Sequence, residues 1–376
     1  MTYPTLLCHD EDHDLQRGPS TVTTIHIQSR GGCGGGRHGI QVKDTGTHEF
    51  VESNRGLWDE WATIHAGSAW YDTVTTIHIQ SRGGCGGGRH GIQVKDTGTH
   101  EFVESNRGLW DEWATIHAGS AWYDLESVRG GLCKLRPYEI DEVGDVRGRT
   151  LLHLQCQIGT DTVSWARRGA VVTGVDFSSR AVDIATQLAV DAGVDARFMC
   201  SDVLDLPQAL TGTFDIVYTS RGVLGWLPDL SRWAQVVAHF LAPGGVFYVT
   251  DVHPIAEVLD HSATEVRVSR PYFPRAEPIA YRVQGSYADR SAQVVTEVEY
   301  LWTHSVAELV TAVAQAGLVI EFFHEFPWLD RPWPFLCQQG EQGWALPPGS
   351  DGELPLFMSL RARKPAGDGV PQPHVG

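Results

Sequence analysis

No run of about 18 consecutive apolar residues occurs in the chain, so no membrane-spanning helix is expected. Basic residues are scarce: 29 Lys and Arg stand against 46 Asp and Glu, a formal net charge of −17. Such a surface repels a polyanion, which excludes sequence-independent nucleic-acid binding, and it excludes a basic membrane-surface role as well. The seven cysteines, at positions 8, 33, 85, 133, 156, 200 and 337, include no Cys-x-x-Cys pair. Their scatter suits a reduced, cytoplasmic protein better than a disulfide framework. The opening residues MTYPTLLCHDEDHD turn acidic too early for a secretory signal. What is present is ordinary for a globular chain: 42% hydrophobic residues over 376 positions, enough for one large domain or two smaller ones.

A 52-residue unit appears twice without a single difference, residues 21–72 recurring as 73–124. Repeat architectures show diverged units, typically three or more, so this reads as a recent duplication or an assembly artefact and not as a solenoid. The first half of each unit, with GGCGGGRHG at 31–39 and 83–91, is glycine-rich and without periodicity, which predicts loop or disorder. It lacks the Gly-Lys-Ser/Thr ending of a phosphate loop. Cys33/His38 and Cys85/His90 match no compact zinc module, and no metal is expected. The second half places Leu109, Trp110, Trp113 and Ile116 on one helical face, as Leu57, Trp58, Trp61 and Ile64 do in the first copy. Only the second copy runs directly into the fold that follows.

From Thr150 a regular alternation begins. Strands are predicted at 150–154, 171–175, 196–200, 214–219 and 245–250, with helices reaching Arg168 and spanning 179–191 and 230–241. Strands alternating with helices imply a parallel sheet covered on both faces, with ligands at the carboxyl ends of its strands. Residues 254–302 break the rhythm: IAYRVQGSYA and QVVTEVEYLW alternate like paired strands, which predicts an inserted hairpin or lid. Ser305 to Glu308 is a capping box opening a helix through Gly317. Two final strands are expected at 318–326 and 354–363, separated by a loop rich in Pro and Trp.

The chain thus divides into a disordered leader with the duplicated unit (1–102), a helical cap (103–149), a nucleoside-binding domain (150–364) with its insertion at 254–302, and a tail (365–376). Residues 150–162, TLLHLQCQIGTDT, join a buried strand to a glycine turn and a helix start, where backbone N–H groups point at a ligand. Asp176 follows the second strand, where a carboxylate accepts from both ribose hydroxyls of a nucleoside cofactor. It is also a good helix N-cap, which is its purely structural reading. Asp202 ends the third strand, within reach of an adenine edge. A dinucleotide pyrophosphate needs glycines where Gln155 and Gln157 stand, which weighs against a nicotinamide-dependent oxidoreductase. S-adenosylmethionine has ribose and adenine but no phosphate, and its sulfonium suits aromatic and acidic surroundings. Three readings follow: methyl transfer, nicotinamide-dependent oxidoreduction on a similar sheet, and a non-catalytic nucleoside-binding protein. His253 is the candidate general base, because it follows the fifth strand and is expected to face the cleft. His117, Tyr123 and His304 come behind it. Cys156 has no evident base partner and reads as a small buried residue.

Several motifs together resemble the class I S-adenosylmethionine-dependent methyltransferases, and among them a bacterial branch with a His-Leu-Gln-Cys loop. They are LLHLQCQIGTDT (151–162), VTGVDFS (172–178), Ser201-Asp202, FDIVYTSRGVLGWLPDL (214–230) and LAPGG (241–245), with NRGLWDEWATIH (106–117) matching that branch's N-terminal cap. The resemblance implies a doubly wound, mostly parallel seven-stranded α/β sheet of the Rossmann-like methyltransferase type. It also implies S-adenosylmethionine as cofactor and a small-molecule methyl acceptor. Gln155, Cys156 and Gly159 would then flank the methionine part, Asp176 would hold the ribose, and Phe177, Asp202 and Val203 would meet the adenine. Ser220 would line the floor near the transferred methyl group, and Trp110, Trp113 and Tyr123 would close the site. The family pattern has an acidic residue at the position of His153 and glycines at those of Gln155 and Gln157, so this chain departs from it there.

Overall fold

A computed structural model describes residues 97–339, 343–350 and 353–366, all within the compact unit Val94–Gly376. The first copy of the repeat, both glycine-rich segments and the Cys33/His38 and Cys85/His90 pairs lie outside the described residues.

Among the described residues, three helices precede the sheet: α1 (Thr97–Gly119), α2 (Leu125–Arg129) and α3 (Pro137–Val143). The first begins at Thr97, six residues ahead of the expected start at 103. Pro137 opens α3, where its missing N–H costs nothing. The alternation then runs β1 (Thr150–Leu154), α4 (Thr160–Arg167), β2 (Val171–Asp176), α5 (Ser179–Ala192), β3 (Ala196–Cys200), β4 (Phe214–Ser220), α6 (Leu230–Phe240) and β5 (Leu241–Val252). Ser178 caps α5 and Asp229 caps α6, each side chain accepting from the backbone three residues on. After the insertion, which holds β6 (Ile279–Arg282) and β7 (Val298–Leu301), come α7 (Val306–Gln315), β8 (Val319–Phe326), β9 (Trp328–Leu329), β10 (Cys337–Gln339), β11 (Gly343–Ala345) and β12 (Phe357–Arg363).

The main sheet has seven strands in the order β3-β2-β1-β4-β5-β12-β8. The first five are parallel; β12 runs antiparallel between β5 and β8, with Leu360 opposite both Val249 and Phe323. This is the doubly wound, mostly parallel seven-stranded architecture expected from the sequence. Alternation along the strands divides the core. Leu152, Val217 and Phe247 pack with Trp233 and Phe240 of α6 on one face. Leu151, Ile216, Tyr218 and Tyr248 pack with Trp165 and α3 on the other. Burying a side chain such as Phe240 or Trp233 contributes about 2–3 kcal/mol.

Three expectations need correction. LAPGG is not a turn ahead of a strand at 245: β5 already begins at Leu241, which pairs with Phe214 before the register shifts. The insertion's paired strands are only four residues each. The Pro/Trp-rich segment is not simply a loop, since β9, β11 and β10 form a small antiparallel sheet there.

The insertion is stitched to α1 along its length. Asn106 exchanges hydrogen bonds with the backbone of Tyr300, at 2.7 and 2.9 Å. Glu112 accepts from the backbone N–H groups of Val295 and Thr296, and Trp113 Nε1 donates to Gly285 O at 2.9 Å. Among the described residues, no helix is long and apolar enough to cross a membrane.

Candidate functional site

Above the carboxyl ends of β1, β2 and β4 lies a cavity of about 660 Å³, within the range that holds a cofactor-sized ligand. Its first wall is the loop after β1. Gln155 (φ 57°) and Gln157 (φ 51°) both take left-handed backbone, the conformation glycine adopts without strain. The loop is held by bonds from Cys156 N to Val175 O (2.9 Å) and from Gln157 N to Asp176 Oδ2 (2.8 Å). Gln155 and Cys156 line the cavity. Gly159 does not. It is the left-handed N-cap of α4 (φ 79°), pressed so closely that a Cβ would stand 2.7 Å from Ala185 Cβ and 3.0 Å from the Phe198 ring. Its role here is to let the start of α4 pack against Ala185 of α5 and Phe198 of β3 rather than to touch a ligand.

Asp176 ends β2 in the cavity wall, 7% exposed, with Oδ1 accepting from Ser178 N at 2.9 Å. Burial pushes its carboxyl up to about 6, and the backbone N–H groups of Ser178 and Gln157 offset part of that rise. Each oxygen keeps a lone pair for a further donor. Phe177, Asp202 and Val203 line the same end; Asp202 accepts from Leu204 N at 2.8 Å and burial raises its carboxyl. Burial likewise pushes the Cys156 thiol well up, which leaves it protonated and inert.

The other end is an ionic web that sequence spacing did not reveal. Arg221, left-handed at φ 51°, reaches Asp161 in a close ion pair and Glu139 at 3.6 Å. Glu139 is fully buried, accepting from Tyr218 Oη at 2.5 Å and Arg136 N at 2.7 Å. Burial raises the Glu139 carboxyl despite Arg221. For Asp161 burial opposes ionisation too, but the attraction of Arg221, then of His153, holds it below its ordinary value. Ser220 Oγ donates to Asp161 Oδ2 at 3.0 Å and lies 3.4 Å from His153 Nε2. Burial brings His153 down to about 4, so the ring is neutral. The carboxylate at this point of the site thus comes from Asp161, on the first turn of α4, rather than from position 153. Lys134, Arg136 and Ser220 line the same end.

Tyr123 closes the cavity, its hydroxyl 2.5 Å from that of Tyr287 in the insertion. Trp110 and Trp226, with ring centroids 5.1 Å apart, complete the aromatic side. Trp113 does not line this cavity. It faces a second one of about 610 Å³, which shares Arg221, Trp226, Tyr287 and Arg331 with the first. His117 is buried and neutral, brought down to about 3 by burial, with Nδ1 2.5 Å from Gln157 Nε2. His304 sits between Glu308 (3.0 Å) and Leu227 O (2.9 Å), in the wall of the second cavity.

His253 lines neither cavity, so the expectation that it faces the cleft is not met. Its Nδ1 accepts from Ile255 N at 3.0 Å, capping the single turn Pro254–Glu257, and Nε2 lies 2.9 Å from Glu325 Oε1 on β8. That approach is close but poorly aligned, since Nε2 completes no well-formed hydrogen bond. Among the described residues, no group of three or more His, Cys, Asp and Glu side chains is placed to hold a metal ion.

Residues 151–245, which hold β1 through the start of β5, match the model of a family described as a methyltransferase domain. The chain is 32% identical over 136 residues to a ubiquinone biosynthesis O-methyltransferase of Serratia proteamaculans, covering 35% of this chain and 56% of the relative. To the protein of the same name from Escherichia coli O7:K1 it is 28% identical over 158 residues, covering 40% of this chain and 65% of that one. The chain therefore spans less than two thirds of the length of these curated relatives. A solved S-adenosylmethionine-dependent methyltransferase from Mesorhizobium loti aligns with a TM-score of 0.41 at 20% identity, over 66% of this chain and 100% of the other. The segment matched to the methyltransferase domain carries the loop after β1 and the ends of β2 and β4, so this likeness falls on the residues that build the first cavity.

Proposed function

We propose that this chain transfers a methyl group from S-adenosylmethionine to a small-molecule acceptor. One observation carries the reading: a single cavity collects a carboxylate at the end of β2, a left-handed loop after β1 and a cationic end at Lys134 and Arg136. Asp176 would accept from the ribose hydroxyls, with Phe177, Asp202 and Val203 around the adenine. Gln155 and Cys156 would run along the methionine part, whose carboxylate suits Lys134 and Arg136. Ser220 would lie beneath the transferred methyl, and Tyr123 above the cofactor. Gly159 would act only by shaping the loop.

Methyl transfer is an in-line displacement, so positioning supplies much of its rate. The aromatic faces of Trp110 and Trp226 at the junction of the two cavities suit a sulfonium. His253 has no part in this assignment, because its ring is turned to β8. A nicotinamide dinucleotide is the poorer occupant, since glutamine side chains stand where its pyrophosphate needs bare backbone. The overall charge of −17 supports a small acceptor over a nucleic acid, and the cysteine usage supports a cytoplasmic setting. Calorimetric titration with S-adenosylhomocysteine and with NADH tests the reading. Heat with the first and none with the second is expected, and Asp176→Ala abolishes it; the reverse pattern refutes the assignment.

A further inference from the structure

The second cavity is left over once the cofactor is placed in the first. Its walls are aromatic: Trp113, Tyr281, Tyr287, Trp302 and Trp333 line it, and His261 stacks on Trp333 with centroids 3.9 Å apart. Its charges are mostly spent. Glu257 pairs with Arg270 at 3.3 Å, and that guanidinium lies 4.5 Å from the centre of the Tyr281 ring. Arg331 donates through Nε to Asp330 at 2.9 Å. Asp251 is filled by the backbone N–H groups of Val223 (3.0 Å), Leu224 (2.9 Å) and Gly222. Arg282 and Arg290 are exposed at the rim.

Glu299 is the exception. It lies on β7 opposite Tyr281 and lines the cavity, and among the described residues its carboxylate has neither a hydrogen bond nor an ion pair within 4 Å. Burial pushes that carboxyl up to about 7, against the partial relief of Arg270. A half-buried acid with no partner is costly unless something else supplies the donor.

Resting on the methyl-transfer reading above, we propose that this cavity is the acceptor chamber and that its occupant is a small aromatic molecule presenting an amino or hydroxyl donor to Glu299. The ring would pack against Trp113, Trp302 and Tyr281, edge or face, as aromatic side chains pack on one another. Tyr287 and Trp226, shared by both cavities, would then stand where the acceptor meets the methyl donor. An anionic acceptor at this point would face the Glu299 carboxylate directly, with Arg270 already paired to Glu257 and with Arg282 and Arg290 out at the exposed rim.

The test uses the full chain and three probes of one ring size: benzylamine, benzyl alcohol and benzoate, titrated against intrinsic tryptophan fluorescence. At least one of the two donor-bearing probes should bind about tenfold or more tightly than benzoate, and which one identifies the donor. Glu299→Gln should cost that probe about tenfold, while S-adenosylhomocysteine affinity stays within about twofold. Glu299→Leu, made beside it, should do the same, so that one misfolded variant leaves the other readable. Benzoate binding as tightly as both donors, or donor binding undiminished in a folded Glu299 variant, overturns the proposal. Loss of S-adenosylhomocysteine binding in the parent chain would sink the methyl-transfer reading instead, and leave the benzylamine result standing by itself.

Discussion

Replacing Arg221 by Met should expose how strongly the site depends on one cation. The substitution keeps the apolar stem but leaves Glu139, fully buried, and Asp161, nearly so, with no positive partner in contact. Breaking a buried ion pair from one side costs about 3–5 kcal/mol, and two acids are orphaned here, so the upper part of that range is expected. The loss should carry a pH signature. In the parent chain Asp161 is held below its ordinary value, so its contribution is present above the unfolded pKa and fades as pH falls through the lower, folded one. Glu139 is raised, so it binds its proton more tightly folded than unfolded and weakens the fold as pH rises. Without Arg221 both acids join this second class. The deficit of the variant should then be largest near pH 8 and shrink toward pH 5. Urea unfolding of parent and variant at both pH values reads it directly as a shift in midpoint. A triple variant, Arg221→Met with Glu139→Gln and Asp161→Asn, should recover most of the loss, since the uncharged set leaves no orphaned ion. A deficit under about 1 kcal/mol that does not change with pH would refute the reasoning, because it would place the web in the class of solvent-screened pairs.

Three further outcomes follow from the site. Gly159→Ala should lower stability by about 1–3 kcal/mol, since its backbone is left-handed and the added methyl meets Ala185; an unchanged thermal midpoint would contradict the packing. S-adenosylhomocysteine affinity should fall as pH drops through about 6, where Asp176 takes up its proton, and calorimetry at pH 5.5 and 7.5 should show that fall in the parent but not in Asp176→Asn. His253→Asn, which keeps a side-chain acceptor for Ile255 N, should leave S-adenosylhomocysteine affinity within about twofold, and a loss beyond about tenfold would return His253 to the site.

Period and punctuation made the doubly wound half of the fold legible: five apolar strands, each followed by a polar cap, admit few other arrangements. The small sheet of β9, β10 and β11 was not, because strands of two and three residues carry no period. Asp176, Asp202 and Ser220 could be placed at strand ends from the alternation, the family resemblance added Phe177 and Val203, and all five line the cavity. Gly159 and Trp113 stand close by without lining it, because a left-handed cap and a helix face each turn toward a different neighbour. Asp161 and Arg221, 60 residues apart, were readable only through topology. Both follow strands that lie side by side, β1 and β4, so the strand order brings together what the spacing hides.

The stitching of α1 to the insertion has an evolutionary consequence. Asn106 and Tyr300, Glu112 and Thr296, and Trp113 and Gly285 are joined across more than 170 positions, each through main-chain groups of the insertion, with the Thr296 hydroxyl adding one side-chain contact. Drift in the insertion is therefore tolerated wherever only its main chain is read, whereas the three side chains of α1 cannot drift alone. Among relatives that keep this roof, α1 should hold its sequence while the hairpin opposite diverges with the acceptor.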